Sequence, residues 1–184
     1  KVQRNALSFD DGERMTLQLL SEMQDGVLTQ SPLAKALSEE YQIIMIDEYQ
    51  DSNLVQEFLL EAVSGEAEGR FNRFMVGDIK QSIYGFRLAR PELFLEKYHT
   101  YAKDGESQQR IDLDKNFRSR PEVLATANYV FCKLMSKELG GIAYDEAASL
   151  HAGAAFPVSP EMEEGKAETW QKAYETELLL LDDK

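Results

Sequence analysis

One cysteine, Cys132, stands among 184 residues. That scarcity excludes an intrachain disulfide, a cysteine-built zinc site and a cysteine-ligated iron–sulfur cluster. A lone thiol fits a reducing cytosol, which is the expected location. No apolar run approaches the roughly 20 residues of a membrane span, and no signal-peptide pattern opens the chain, so no membrane partner is expected. Histidine is nearly absent: His99 and His151 fall in no motif and read as surface residues. The phosphate-cradling pattern Gly-x-x-x-x-Gly-Lys-Ser/Thr does not occur. Its nearest approximation, Gly165-Lys166-Ala167, lacks the hydroxyl and has Pro160 five residues before its glycine. The first residue is Lys1, and the expectation is an excised piece of a larger cytosolic protein.

What is present is acid, unevenly spread. The formal net charge is −13, yet residues 71–133 hold 11 Lys+Arg against 8 Asp+Glu, a net of +3. The remainder holds 9 against 25, a net of −16. A locally basic stretch in an acidic chain fits phosphate contacts from a limited surface, although charge alone favours an ordinary solvated surface. The 43% hydrophobic content is enough for one domain or two small lobes.

Periodicity gives an alternation of helices and short apolar strands, hence α/β layers. Residues 5–23 read as a helix capped by Ser8 or Asp10 and ended by Asp25-Gly26. Residues 31–40 read as a second helix, with Ser31-Pro32 at its start. Residues 43–47 form a buried strand, 53–63 an amphipathic helix, 74–76 a second strand and 91–101 a further helix. The polar segment Lys103–Gln109 is the candidate lobe boundary, giving domains 1–104 and 105–184. Arg110–Leu113 reads as a third strand. Residues 121–138 read as a helix opened by Pro121 and closed by Gly140-Gly141. Residues 151–168 are expected to be irregular, and Leu178–Leu181 to be a last strand.

The stretch richest in chemistry is Ile43-Ile44-Met45-Ile46-Asp47-Glu48-Tyr49-Gln50-Asp51. An apolar run ending in two carboxylates is the pattern of a parallel strand delivering acids to the carboxyl edge of a sheet, where α/β folds bind ligands. One acid can hold the water shell of magnesium, which prefers oxygen ligands. The other can face a nucleophilic water. A bare Asp-Glu after a strand more often caps a helix or faces solvent; the full nine-residue run tips the reading towards chemistry.

Asp47-Glu48-Tyr49-Gln50-Asp51 resembles motif II of UvrD/RecB-type superfamily 1 helicases. Val76-Gly77-Asp78-Ile79-Lys80-Gln81-Ser82-Ile83-Tyr84-Gly85-Phe86-Arg87 looks like their motif III, and Leu113-Asp114-Lys115-Asn116-Phe117-Arg118-Ser119 like motif IV. Ala6-Leu7-Ser8-Phe9-Asp10-Asp11 resembles the segment preceding motif II. The run from Arg87 to Tyr98 looks most like the AddA component of AddAB-type ATP-dependent helicase–nucleases. The resemblance covers residues 5–135 well and 140–184 loosely.

The resemblance implies part of a RecA-like parallel sheet with flanking helices, joined to the start of a second RecA-like lobe. It implies ATP and Mg2+ as ligands. Asp47 would hold magnesium through water and Glu48 would be the general base. Gln81 would sense the γ-phosphate, since an amide both donates and accepts. Arg118 would be an arginine finger and Phe117 would stack on adenine. Tyr84, Phe86 and Arg87 would contact single-stranded DNA by stacking and phosphate pairing. Taken singly, each has a bland alternative as a core aromatic, a buried strand residue or a surface arginine; the ordered set lifts them. The implied parent is a helicase/exonuclease subunit that acts on DNA ends in double-strand break repair by recombination, beside a second nuclease subunit. No nuclease-like acid/lysine cluster occurs within the chain. A UvrD-like helicase without nuclease, a non-catalytic scaffold with the motor fold, and a stand-alone magnesium hydrolase stay open as alternatives.

Overall fold

The computed structural model describes residues 7–137, 139 and 142–156, with Arg87 described by its backbone alone. The chain divides into two compact units, Lys1–Arg110 and Ile111–Lys184, and each is described by itself.

The first unit opens with helix α1, Phe9–Leu20. Ser8 caps it, accepting from the Asp11 amide, while the Asp11 carboxylate takes the Ser8 amide in return. Such a reciprocal cap satisfies two otherwise orphaned N–H groups. The helix ends earlier than the periodicity predicts. Ser21–Gln24 leaves it as strand β1 and pairs antiparallel with β2, Val27–Gln30. Asp25 and Gly26 both have positive φ, 52° and 81°. Aspartate followed by glycine is the favoured pair for a two-residue hairpin turn of that hand. The same dipeptide that reads as a helix stop is therefore a hairpin turn.

Helix α2, Pro32–Glu40, starts at Ser31, whose hydroxyl accepts from the Ala34 amide. Helix α3, Leu54–Val63, starts at Asn53 in a second reciprocal cap, with Gln56. Both α1 and α2 pack on α3. Glu13 of α1 also accepts from the Gln56 side chain at 2.9 Å.

Between α2 and α3 runs strand β3, Ile44–Ile46, parallel to β4, Arg73–Met75, in the register Ile44↔Arg73, Met45↔Phe74 and Ile46↔Met75. The expected strand is present, but it is not buried on both faces. Met45 is 70% exposed and its partner Phe74 50%. Two strands cover only one face with the helices of this unit, so alternate side chains stay bare. Helix α4, Pro91–Thr100, packs against the turn that follows β3.

The second unit contains β5, Lys115–Asn116, parallel to β6, His151–Ala152, and helix α5, Pro121–Leu134. The strand predicted at Arg110–Leu113 is displaced. Ile111 and Leu113 alternate as a strand should, yet pairing begins only where His151 and Gly153 donate to the Asp114 and Asn116 carbonyls. His151 is thus a strand residue in a segment expected to be irregular. Helix α5 stops at Leu134, short of 138. Gly140-Gly141, residues 157–168 and the strand expected at Leu178–Leu181 lie outside the described residues. Among the described residues, no helix is long and apolar enough to cross a membrane.

Candidate functional site

The two parallel strands of the first unit end side by side, with Asp47 and Glu48 directly after one and the turn that holds Gln81 after the other. Beyond Ile46, Asp47 and Glu48 are exposed, and a short 3-10 turn, Tyr49–Asp51, then buries its first two residues. Asp47 Oδ1 accepts from the Glu48 amide at 2.9 Å. Glu48 itself has φ 50°, the left-handed region. A non-glycine residue there costs about 1–3 kcal/mol, and such residues cluster at functional sites.

Asp47, Glu48 and Asp51 line an open cleft of about 490 Å³ with Ile46, Ser52, Gln56, Leu59 and Leu60. Asp51 Oδ1 is shielded from solvent and has no hydrogen-bond partner among the described residues. Burial, then the neighbouring Glu48 carboxylate, pushes the Asp51 carboxyl above its ordinary value. The Asp51 position thus adds a third oxygen-bearing group beside the acid pair.

Strand β4 is followed by Val76-Gly77-Asp78 and a 3-10 turn, Ile79–Gln81. Asp78 caps that turn and binds both its polar side chains: Lys80 Nζ lies 2.9 Å from Oδ1, and Gln81 Nε2 donates to Oδ2 at 3.0 Å. Burial would raise the Asp78 carboxyl, but these bonds from Gln81 and Lys80 outweigh it and hold it below the ordinary range. Gln81 is exposed, its amide parked on Asp78.

The acid pair and the Gln81 turn are joined by a residue to which the sequence reading assigns no role. Gln50 is 1% exposed. Its Nε2 donates to Glu48 Oε2 at 2.6 Å, and its Oε1 accepts from the Asp78 amide at 3.0 Å. Further on, the Arg90 amide donates to the Ser52 carbonyl at 2.9 Å. Both ends of the 78–90 loop are thereby fastened to the stretch 50–52.

Behind the acid pair lies a second group that the sequence reading leaves unassigned. The buried Tyr49 hydroxyl donates to Glu57 Oε2. Glu57 also accepts from Arg73 at 3.1 Å and Lys97 at 2.9 Å, and Arg73 donates twice to Glu66 at 2.6 Å. Lys97 also lies 5.5 Å from the centre of the Tyr49 ring. Burial would lift the Glu57 carboxyl; the Tyr49 and Lys97 hydrogen bonds and the Arg73 charge more than reverse it, leaving it below the ordinary value. Burial and the Glu57 acceptor both push the Tyr49 hydroxyl up, so it stays protonated. A charged residue at the helix position Glu57 and an arginine inside a strand were the available signals.

In the 78–90 loop, Tyr84 and Phe86 have ring centres 5.8 Å apart at 54°, and Phe86 is 76% exposed. The backbone of Arg87 closes the short turn Gly85–Arg87; its side chain lies outside the described residues. None of Gln81, Tyr84 and Phe86 lines the acid cleft.

Phe117 and Arg118 belong to the second unit. Asn116 Oδ1 accepts from the Arg118 and Ser119 amides at 2.9 and 2.8 Å, which bends the chain outward just after β5. Phe117 is 66% exposed, with one ring edge against Gly153, where a Cβ would sit 2.8 Å from the ring. Arg118 is exposed, and its side chain makes no ion pair among the described residues.

Residues 1–102 match the UvrD/REP helicase N-terminal domain. The chain belongs to the UvrD/REP helicase family. It is 52% identical over 157 residues to the ATP-dependent helicase/nuclease component AddA of Lachnoclostridium phytofermentans, covering 85% of this chain and 11% of that protein. The AddA protein of Listeria monocytogenes serotype 4b is 46% identical over 185 residues, covering 100% and 14%. That of Staphylococcus haemolyticus is 50% identical over 155 residues, covering 84% and 12%. This UvrD/REP chain therefore spans between 11% and 14% of the length of these relatives.

Proposed function

We propose that the chain is the middle of the ATP-hydrolysing motor of a helicase–nuclease subunit that works on DNA ends in recombinational break repair, alongside a partner nuclease subunit. In this reading the first unit is the end of one RecA-like domain and the second unit the start of another. The observation that carries it is the convergence of an acid pair after β3 with the Gly77–Gln81 turn after the adjacent parallel strand β4, joined through Gln50. Ligands of open α/β sheets bind at such strand ends.

The donors suit magnesium. Asp47 is an exposed, hard oxygen ligand next to a second carboxylate, and no group of three or more ligating side chains forms a dedicated cage among the described residues. Magnesium is commonly held by one or two carboxylates, waters and substrate phosphates. Bound there, it would neutralise charge on the nucleotide phosphates. Glu48 takes the proton of the attacking water as general base. Gln81 reads the γ-phosphate by releasing Asp78 and donating its amide to the ligand. Arg118, exposed, supplies positive charge to the transferring phosphoryl group, and Phe117 offers an exposed face to adenine. Tyr84, Phe86 and Arg87 stack on and pair with single-stranded DNA without reading sequence.

The deciding experiment is Glu48→Gln in the complete protein. The amide keeps the shape but takes no proton, so hydrolysis falls by roughly 10²–10⁴-fold while ATP binding stays within a few-fold. Parallel collapse of ATP binding would mean that Glu48 holds structure or metal instead.

A further inference from the structure

We propose that Gln50 is the positioning residue for Glu48: its side-chain amide holds the Glu48 carboxylate against the Gly77–Asp78 turn and so sets where a proton can be received. The inference rests on the reading of Glu48 as general base. Glu48 is an exposed, long side chain on a left-handed backbone, and nothing in its own rotamer preferences fixes its carboxylate. Gln50 is the opposite, buried to 1% exposure, with both ends of its amide used. The direction of the amide follows from its partners. A carboxylate oxygen only accepts and a backbone N–H only donates, so Nε2 must face Glu48 and Oε1 must face Asp78.

Gly77 supplies independent support. A Cβ there would lie 2.5 Å from Gln50 Oε1 and 3.1 Å from the Phe94 ring. The turn is therefore shaped around the Gln50 amide rather than merely near it. Other residue types at position 50 fail for separate reasons. Glutamate keeps an acceptor for Asp78 but loses the donor and sets a like charge against Glu48. Asparagine is one methylene short. Methionine matches the length and has neither polar end.

The test uses the complete protein with its partner. Gln50→Glu and Gln50→Met are compared for kcat, KM for ATP, melting temperature and amide hydrogen exchange of the peptide containing Asp78. Gln50→Glu should lose roughly 10–100-fold in kcat, a part of the 10²–10⁴-fold that general-base catalysis contributes, with KM within about 3-fold. It should keep the Asp78 amide protected, because its carboxylate still accepts. Gln50→Met should lose both turnover and Asp78 protection. In a Glu48→Gln background, single-turnover rates should fall no further with either change, since the effect passes through the missing carboxylate. If the Gln50 variants fail to fold, Gly77→Ala displaces the same amide without removing it and should give the same kcat loss.

Near-normal kcat in Gln50→Glu overturns the inference. So does a loss that adds in full to Glu48→Gln, or one that only tracks a lowered melting temperature. If Glu48→Gln itself retains turnover, the reading of Glu48 as base falls and the inference with it. If Glu48→Gln is inactive and Gln50→Glu is active, the inference alone falls.

Discussion

Neutralising Glu57 tests how the acid pair is held from behind. Three donors converge on that carboxylate: the Tyr49 hydroxyl, Arg73 at 3.1 Å and Lys97 at 2.9 Å. In Glu57→Gln the amide oxygen still accepts from Tyr49, and Arg73 keeps its two bonds to Glu66. Lys97 is the group left stranded, with 15% of its side chain exposed and the Tyr49 ring beside it. Breaking a buried pair by removing one partner costs about 3–5 kcal/mol. Because Arg73 is still paired, the lower end applies, about 3 kcal/mol. Each 1.4 kcal/mol is tenfold, so amides of α3 and β4 that exchange through local opening should exchange roughly 150-fold faster. Amide exchange on the complete protein measures this directly. A change below about 3-fold would mean that the cluster adds nothing to the native state. The double variant Glu57→Gln/Lys97→Met separates the causes: with the stranded cation gone and the acceptor for Tyr49 kept, most protection should return. A double variant as labile as the single one would refute the stranded-cation account.

Other outcomes follow from the same structure. Glu57 is held below its ordinary value, so its contribution is complete above that value and disappears as the pH falls through the lowered one. Acid titration of α3 and β4 exchange should show this loss in the wild type and a smaller one in Glu57→Gln, where Asp78 still titrates. Arg118→Ala in the complete protein should slow hydrolysis by about 10³–10⁵-fold, the range of arginine fingers, with ATP binding retained. Arg118→Lys should suffer too, because the fork is lost; near-normal turnover at saturating ATP and DNA would remove Arg118 from the site. The 184-residue chain alone, without a Gly-Lys-Thr-type loop, should show no DNA-stimulated phosphate release near 1 per second. It should also bind a labelled single-stranded oligonucleotide weakly even at low salt, given its net charge of −13.

Local chemistry made much of this fold legible. Ser8, Ser31-Pro32, Pro91 and Pro121 open helices because caps and fixed φ act within one turn of chain. Strands β3 and β4 were legible from their apolar runs, and the acids from the break after β3. What escaped is non-local. Met23 continues a helical period, so the Asp25-Gly26 hairpin signal was outvoted, although β1 pairs with β2 only across that turn. Ile111 and Leu113 alternate correctly, but strand pairing depends on His151 and Ala152 far along the chain. Gln50 and Glu57 carry no periodicity; their roles exist only through partners at Asp78, Arg73 and Lys97. The bare face at Met45 and Phe74 was hidden because an apolar run states what should be covered, not how many strands do the covering.

The loop from Asp78 to Arg90 has a mechanical consequence. Its two ends are tied to Gln50 and Ser52, on either side of Asp51, while its tip carries Tyr84 and Phe86. A cord anchored at two neighbouring points cannot slide: tension applied at the tip arrives at the anchors. A polymer pulled across those rings would load strand β4 and helix α4 through the covalent chain and, through the two hydrogen bonds, the few residues that follow Glu48. Stiffness at those two anchors would then set how much of each tug reaches the acid cleft.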